Sequence, residues 1–182
     1  MIHSRLALFT VLALTAPVFV WGALDVELWQ PSLHFAETLP SFVEQVRQAT
    51  QSLRDVRQAT KAEYAPVLGC VSGPQEGAMG VHYVNSTFLQ DGELDVNRPE
   101  ALMYESTNGT LRLLGVEYIV TADAWHARHA EPPTLEGQVF NYTASPNRYG
   151  LPAFYELHVW AWRGNPHGTF VDWNPHVSCD GQ

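Results

Sequence analysis

The stretch Leu102-Met103-Tyr104-Glu105-Ser106-Thr107-Asn108-Gly109-Thr110-Leu111-Arg112-Leu113-Leu114-Gly115-Val116-Glu117-Tyr118-Ile119-Val120-Thr121 reads as a β-hairpin. Asn-Gly is the pair best suited to a tight two-residue turn, because both positions accept the positive φ that such a turn needs. The second arm is apolar on both faces from Leu113 to Val120, the pattern of a strand covered on both sides. Working outward, Val81-His82-Tyr83-Val84 is a short strand upstream, and Gln138 to Tyr142 and Phe154 to Trp162 are strands downstream. That makes about five strands joined by Pro/Gly loops. In the last of them Phe154, Glu156, His158, Trp160 and Trp162 alternate onto one face, while Tyr155, Leu157 and Val159 take the other.

Upstream of these strands the periodicity changes. Ser41 and Glu44 have the spacing of a capping box. Val46, Ala49, Leu53 and Val56 then recur at intervals of three and four, and Pro66 and Gly69 stop the pattern. Arg-Gln-Ala-Thr occurs at 47–50 and again at 57–60, an offset of nearly three helical turns that places both copies on one face. The spacing predicts one helix over about 41–64 and a β-rich core over 70–179. The expected fold class is α+β: a long N-terminal helix packed on an antiparallel β-sheet or partly open β-barrel, in a single globular domain over 39–182.

Residues 1–22 have the build of a signal peptide. Arg5 precedes an almost wholly apolar run from Leu6 to Trp21, and Val20 and Gly22 stand where small residues precede cleavage. The run falls short of the roughly 20 residues that span a bilayer, so no membrane span is expected after signal cleavage. Retention as an anchor is the other reading of the same run. Residues 23–38 read as a linker or arm. The expected localisation is secreted or periplasmic. In an oxidising compartment Cys70 and Cys179, the only cysteines, are expected to form a disulfide. Closing a loop of about 110 residues stabilises by about 4–5 kcal/mol in the chain-entropy account, less any strain.

The charge balance narrows the partners. Ten Lys+Arg stand against 19 Asp+Glu, a net charge of −9, and Lys61 is the single lysine. Nothing here matches a phosphate backbone, which argues for no nucleic acid as partner. With 16% charged residues and a mean hydropathy of −0.14, the chain is not a disordered acidic tail either.

Chemistry is concentrated on three strands. His82 and His158 lie in apolar strands, and Glu117 is embedded in the apolar hairpin arm, where a carboxylate is costly to bury without a cation, a donor or a metal. Two histidines and a carboxylate with open positions form a ligand set for a first-row transition metal such as Zn, Cu, Fe or Mn. The metal ligands expected from the sequence are therefore His82, Glu117 and His158, with Tyr83, Glu156, Trp160 and Trp162 around them. The plainer reading makes His82 and His158 hydrogen-bonded core histidines and pairs Glu117 with an arginine such as Arg112 or Arg148. His126-Ala127-Arg128-His129 has a chelating spacing, but Pro132 and Pro133 follow it and favour a solvated loop. An alternative function uses the aromatic cluster Phe154, Tyr155, Trp160, Trp162, Phe170 and Trp173 in a non-catalytic envelope or extracellular binding protein for a sugar or amphiphile. Either reading admits a small-molecule ligand.

Five segments carry a resemblance: Gly69-Cys70-Val71-Ser72-Gly73-Pro74, Met79-Gly80-Val81-His82-Tyr83-Val84-Asn85, Gly115-Val116-Glu117-Tyr118, Tyr155-Glu156-Leu157-His158-Val159-Trp160 and Asn174-Pro175-His176-Val177-Ser178-Cys179. Over roughly Ala59 to Cys179 the chain resembles an uncharacterised family of secreted bacterial proteins. The resemblance implies a bacterial exported domain and no catalytic role for any residue.

Overall fold

The computed structural model describes residues 41–180. The signal peptide and arm expected over 1–38 lie outside the described residues. Among these, the protein is mostly β: six antiparallel strands form one curled, half-barrel sheet. In chain order these are β1 (Ala65–Gly73), β2 (Gly77–Val84), β3 (Ala101–Thr107), β4 (Thr110–Thr121), β7 (Asn141–Thr143) and β8 (Phe154–Val159). Their spatial order is β1-β2-β3-β4-β8-β7, and β5 (Thr134–Leu135) with β6 (Gln138–Val139) makes a separate two-stranded ribbon.

The hairpin forms as its sequence predicts, with Asn108 and Gly109 at positive φ of 51° and 75°. β4 is buried continuously from Leu113 to Val120 because β3 and β8 flank it and side-chain clusters cover both of its faces. On one face Leu102, Tyr104, Val116, Tyr118, Val120, Leu157 and Val159 form the main core. The other face carries Ala101, Met103, Ile119, Phe154 and Trp160 in two smaller clusters.

The long N-terminal helix is not present. The segment breaks into α1 (Phe42–Thr50), a 3₁₀ turn (Ser52–Arg54) and α2 (Val56–Lys61). Asp55 makes the break: its backbone is extended at φ −89°, ψ 109°, and its carboxylate accepts the Arg57 N–H to cap a new helix. The two Arg-Gln-Ala-Thr copies therefore lie on different helices. The apolar stripe still reaches the main core, but through short pieces, with Phe42, Val46 and Ala59 buried. The fold is thus a curled sheet with few short helices rather than a helix laid across a sheet.

Pro66 and Gly69, which read as helix terminators, belong to β1. That strand is a sheet edge, where a proline without an N–H is tolerated, and its pairing with β2 is irregular around Pro66, Leu68 and Cys70. Further along, α3 (Ser86–Asp91) is capped by Asn85, whose side chain accepts from the N–H groups of Thr87 and Phe88. α4 (Ala122–His126) follows β4 directly.

A disulfide and a backbone bridge tie the C-terminal segment to the sheet. Cys70 and Cys179 form the expected disulfide, with a Cα–Cα distance of 5.6 Å. Ala78 and Asn174 exchange both backbone hydrogen bonds at 3.2 Å. The neighbouring Gly77 has φ +91°, and a Cβ there would collide with the Asn174 carbonyl, so this close approach requires glycine. No helix among the described residues is long and apolar enough to cross a membrane.

Candidate metal centre

Strand register brings the three expected ligands to one face. Glu117 on β4 is the direct partner of His158 on β8 and, on its other side, of Ala101 on β3. Ala101 in turn pairs with Val84, two residues from His82 on β2, so all of these point the same way. His82 and Glu117 are two strands apart, roughly 10 Å in the flat sheet. They meet because β3 places only the methyl of Ala101 opposite Glu117 and because the sheet is curled.

His82 Nε2 lies 3.4 Å from Glu117 Oε2, and His158 Nε2 lies 3.9 Å from Glu117 Oε1. The imidazole centroids are 6.4 Å apart with their planes at 89°. One donor atom from each of His82, Glu117 and His158 falls within 4.8 Å of the others, and all three residues are buried. Donors around one tetrahedral ion with bonds of about 2.0–2.1 Å sit roughly 3.4 Å apart, so an ion would draw the group together by about an ångström. His158 Nε2, on the Glu117 side of the ring, is buried without a hydrogen-bond partner. A buried nitrogen in that state is costly, and coordination would satisfy it. Neither Arg112 nor Arg148 neutralises Glu117: its ion-pair partners are the two imidazoles, and Arg148 donates to the Ser72 carbonyl instead.

Burial, reinforced by the neighbouring His158, lowers the His82 pKa to about 3, so this ring is neutral and its lone pair is free to bind a cation. Burial also works against charge on His158, but Glu117 and Asp172 outweigh it and raise that imidazole to about 9. Burial, with the adjacent Glu156, pushes the Glu117 carboxyl well above its usual range, His158 opposing. The metal-free cluster therefore holds protons that a divalent cation would displace.

Asp172 is the participant that the strand pattern did not reveal. It comes from the C-terminal loop, and its Oδ1 stands 3.3 Å from His158 Nδ1. The His158 ring holds the Asp172 carboxyl below its usual range, which keeps it anionic. Asn141 on β7 donates to Asp172 at 3.2 Å. Trp160 Nε1 donates to the Val171 carbonyl at 2.6 Å and so anchors the residue before it. A carboxylate behind an imidazole fixes which ring nitrogen faces an ion. The Val171-Asp172-Trp173 sequence carries no periodic signal, and only its place after β8 could have pointed to it.

The surrounding residues divide between the faces. Glu156 lies beside Glu117 and accepts a hydrogen bond from Thr143 at 2.6 Å. Trp160 supports Asp172 as described. Tyr83 and Trp162, expected near the ligands, sit on the opposite face: Tyr83 packs edge-on against Tyr104, and Trp162 donates to Thr50 Oγ1. The six aromatic rings do not form a platform, because Tyr155, Trp162 and Phe170 serve the main core while Phe154, Trp160 and Trp173 serve the smaller clusters. The His126/His129 pair does not converge either: His126 contacts the Tyr155 hydroxyl, and His129 stacks on Trp125.

A cavity of about 220 Å³ reaches the cluster. His82 and Glu117 line it together with Met79, Ile119, Phe154 and other apolar groups, and so does Val67, which is 61% exposed on the edge strand. A cation held by three protein donors would keep a coordination position for water or for a molecule entering here, and could polarise either. Comparisons with family models, curated proteins and solved structures give no match.

Proposed function

We propose that this chain is an exported small globular protein that binds one first-row transition metal ion through His82, Glu117 and His158. The observation that carries the reading is the convergence of those three buried donors from three different strands, with a His158 Nε2 that has no hydrogen-bond partner. Two imidazoles and a carboxylate suit Zn, Cu, Fe or Mn. Asp172 orients His158, and Glu156 borders the ligand carboxylate. Export is supported by the apolar leader-like N-terminus, by the motif resemblance to secreted bacterial proteins, and by a disulfide of the kind that persists in oxidising compartments.

Protein purified from its native compartment should retain close to one equivalent of a transition metal by elemental analysis. After chelation, adding back that metal should raise the melting temperature. Absence of metal, together with no gain in melting temperature on adding Cu, Zn, Fe or Mn, would sink the proposal.

A further inference from the structure

The cavity beside the cluster has its own chemistry. Its volume of about 220 Å³ exceeds the roughly 150 Å³ that suffices for benzene in an apolar protein cavity. Its walls include Ile119, Leu151, Tyr149 and Phe154, and the Tyr149 and Phe154 rings meet edge-on at 6.0 Å. His82 and Glu117 face this space at the cluster end, and Ser86 also lines its largely apolar wall. The one cation at that end, His158, is already paired with Asp172. An anionic head would therefore find no free cation there, whereas a hydroxyl can hydrogen-bond with the Glu117 carboxyl.

We infer that the cavity binds a single-ring phenol or a closely similar neutral hydroxylated aromatic, with the ring against Phe154 and Ile119 and the hydroxyl toward Glu117. The ring's binding stands on the cavity alone. Only the hydroxyl's further contact with a bound ion rests on the metal reading. The edge-on pair offers an aromatic wall, and a largely apolar cavity with the Glu117 carboxyl at one end discriminates by size and by a hydrogen bond there.

The test titrates p-cresol, toluene and benzoate into the chelator-treated full chain by calorimetry, beside a separate titration with Zn²⁺. Saturable one-to-one binding of p-cresol is expected, with toluene at least fivefold weaker and benzoate weaker still. Intermolecular NOEs should join the cresol ring to the methyl groups of Ile119 and Leu151. Leu151→Trp should abolish cresol binding and leave the Zn²⁺ affinity within about twofold. If that variant fails to fold, the NOEs in the unmodified protein decide the location. No cresol binding, equal binding of toluene, tightest binding of benzoate, or NOEs to other residues would each overturn the inference. Cresol binding without binding of Zn²⁺ or, in parallel titrations, of Cu²⁺, Fe²⁺ or Mn²⁺ removes the metal reading alone, and metal binding without cresol binding removes this inference alone.

Discussion

Glu117 and His158 are direct cross-strand partners on β4 and β8, and Glu117 Oε1 lies 3.9 Å from His158 Nε2. A one-residue slip of this register would send one of the two side chains to the opposite face. The pairing that builds the sheet therefore also builds the cluster, and the long buried run of β4 holds the register in place.

Asp172 stands behind His158 and would act on a bound ion through that ring. Asp172→Asn keeps the shape and Asn141's neighbour but removes the charge behind the ring. Metal affinity should fall by about 10–100-fold, as for comparable carboxylates behind ligating histidines. NMR titration of the metal-free variant should place His158 below its wild-type value of about 9. An unchanged affinity and an unchanged His158 titration would assign Asp172 no orienting role.

Metal binding should weaken as pH falls. His158, raised to about 9, must lose its proton to ligate, and Glu117, also raised, must do the same. Below pH 9 the proton displaced from His158 costs roughly tenfold in affinity per pH unit, and the raised Glu117 carboxyl works in the same direction. Calorimetry in buffers of different ionisation enthalpy should detect proton release. A pH-independent affinity between 6 and 8.5 would contradict this proton inventory.

Glu100 offers a test of stability away from the cluster. It is 1% exposed, and Oε2 accepts the Ile119 N–H at 2.8 Å. Burial raises its pKa from 4.5 to about 8, the Ile119 hydrogen bond opposing. The folded chain thus holds this proton more tightly than the unfolded chain. Its stabilising contribution is full below 4.5 and is lost as pH rises through 8. Glu100→Gln retains an acceptor and should flatten that decline, making the variant the more stable protein at pH 9 by about 3–5 kcal/mol. Parallel wild-type and variant melting curves from pH 5 to 9 would reject the assignment.

The disulfide should matter for both fold and cluster. It joins β1 to the end of the segment that carries Asp172. Replacing both cysteines by alanine should cost up to about 4–5 kcal/mol in denaturant unfolding. It should also weaken metal binding, because the Asp172 loop loses its covalent tie and keeps only hydrogen bonds such as those at Ala78, Asn141 and Trp160. Wild-type stability in the double variant would show that these hydrogen bonds suffice.

The strands that carry the cluster were legible because burial on both faces leaves continuous apolar runs, and a charged residue inside such a run stands out. Glu117 and His158 were visible for that reason, and His82 by its alternation in a short apolar strand. The edge strand β1 was hidden because Pro66 and Gly69 punctuate it as they would a helix end. The break at Asp55 was hidden by an apolar spacing that continues across it, since the two short helices and one long helix bury the same side chains. Asp172 and the grouping of rings by face depend on where a loop returns, which local periodicity does not encode.

The decisive question is whether His82, Glu117 and His158 together hold a single metal ion. Titrating the chelator-treated protein with Co²⁺ and recording visible d–d absorption tests it most directly, because the band intensity reports low-symmetry nitrogen and oxygen coordination. Saturation at one equivalent is expected, with loss of the bands in folded His82→Ala and Glu117→Gln variants. Absence of bands in the wild type, or bands unchanged in both variants, would contradict it.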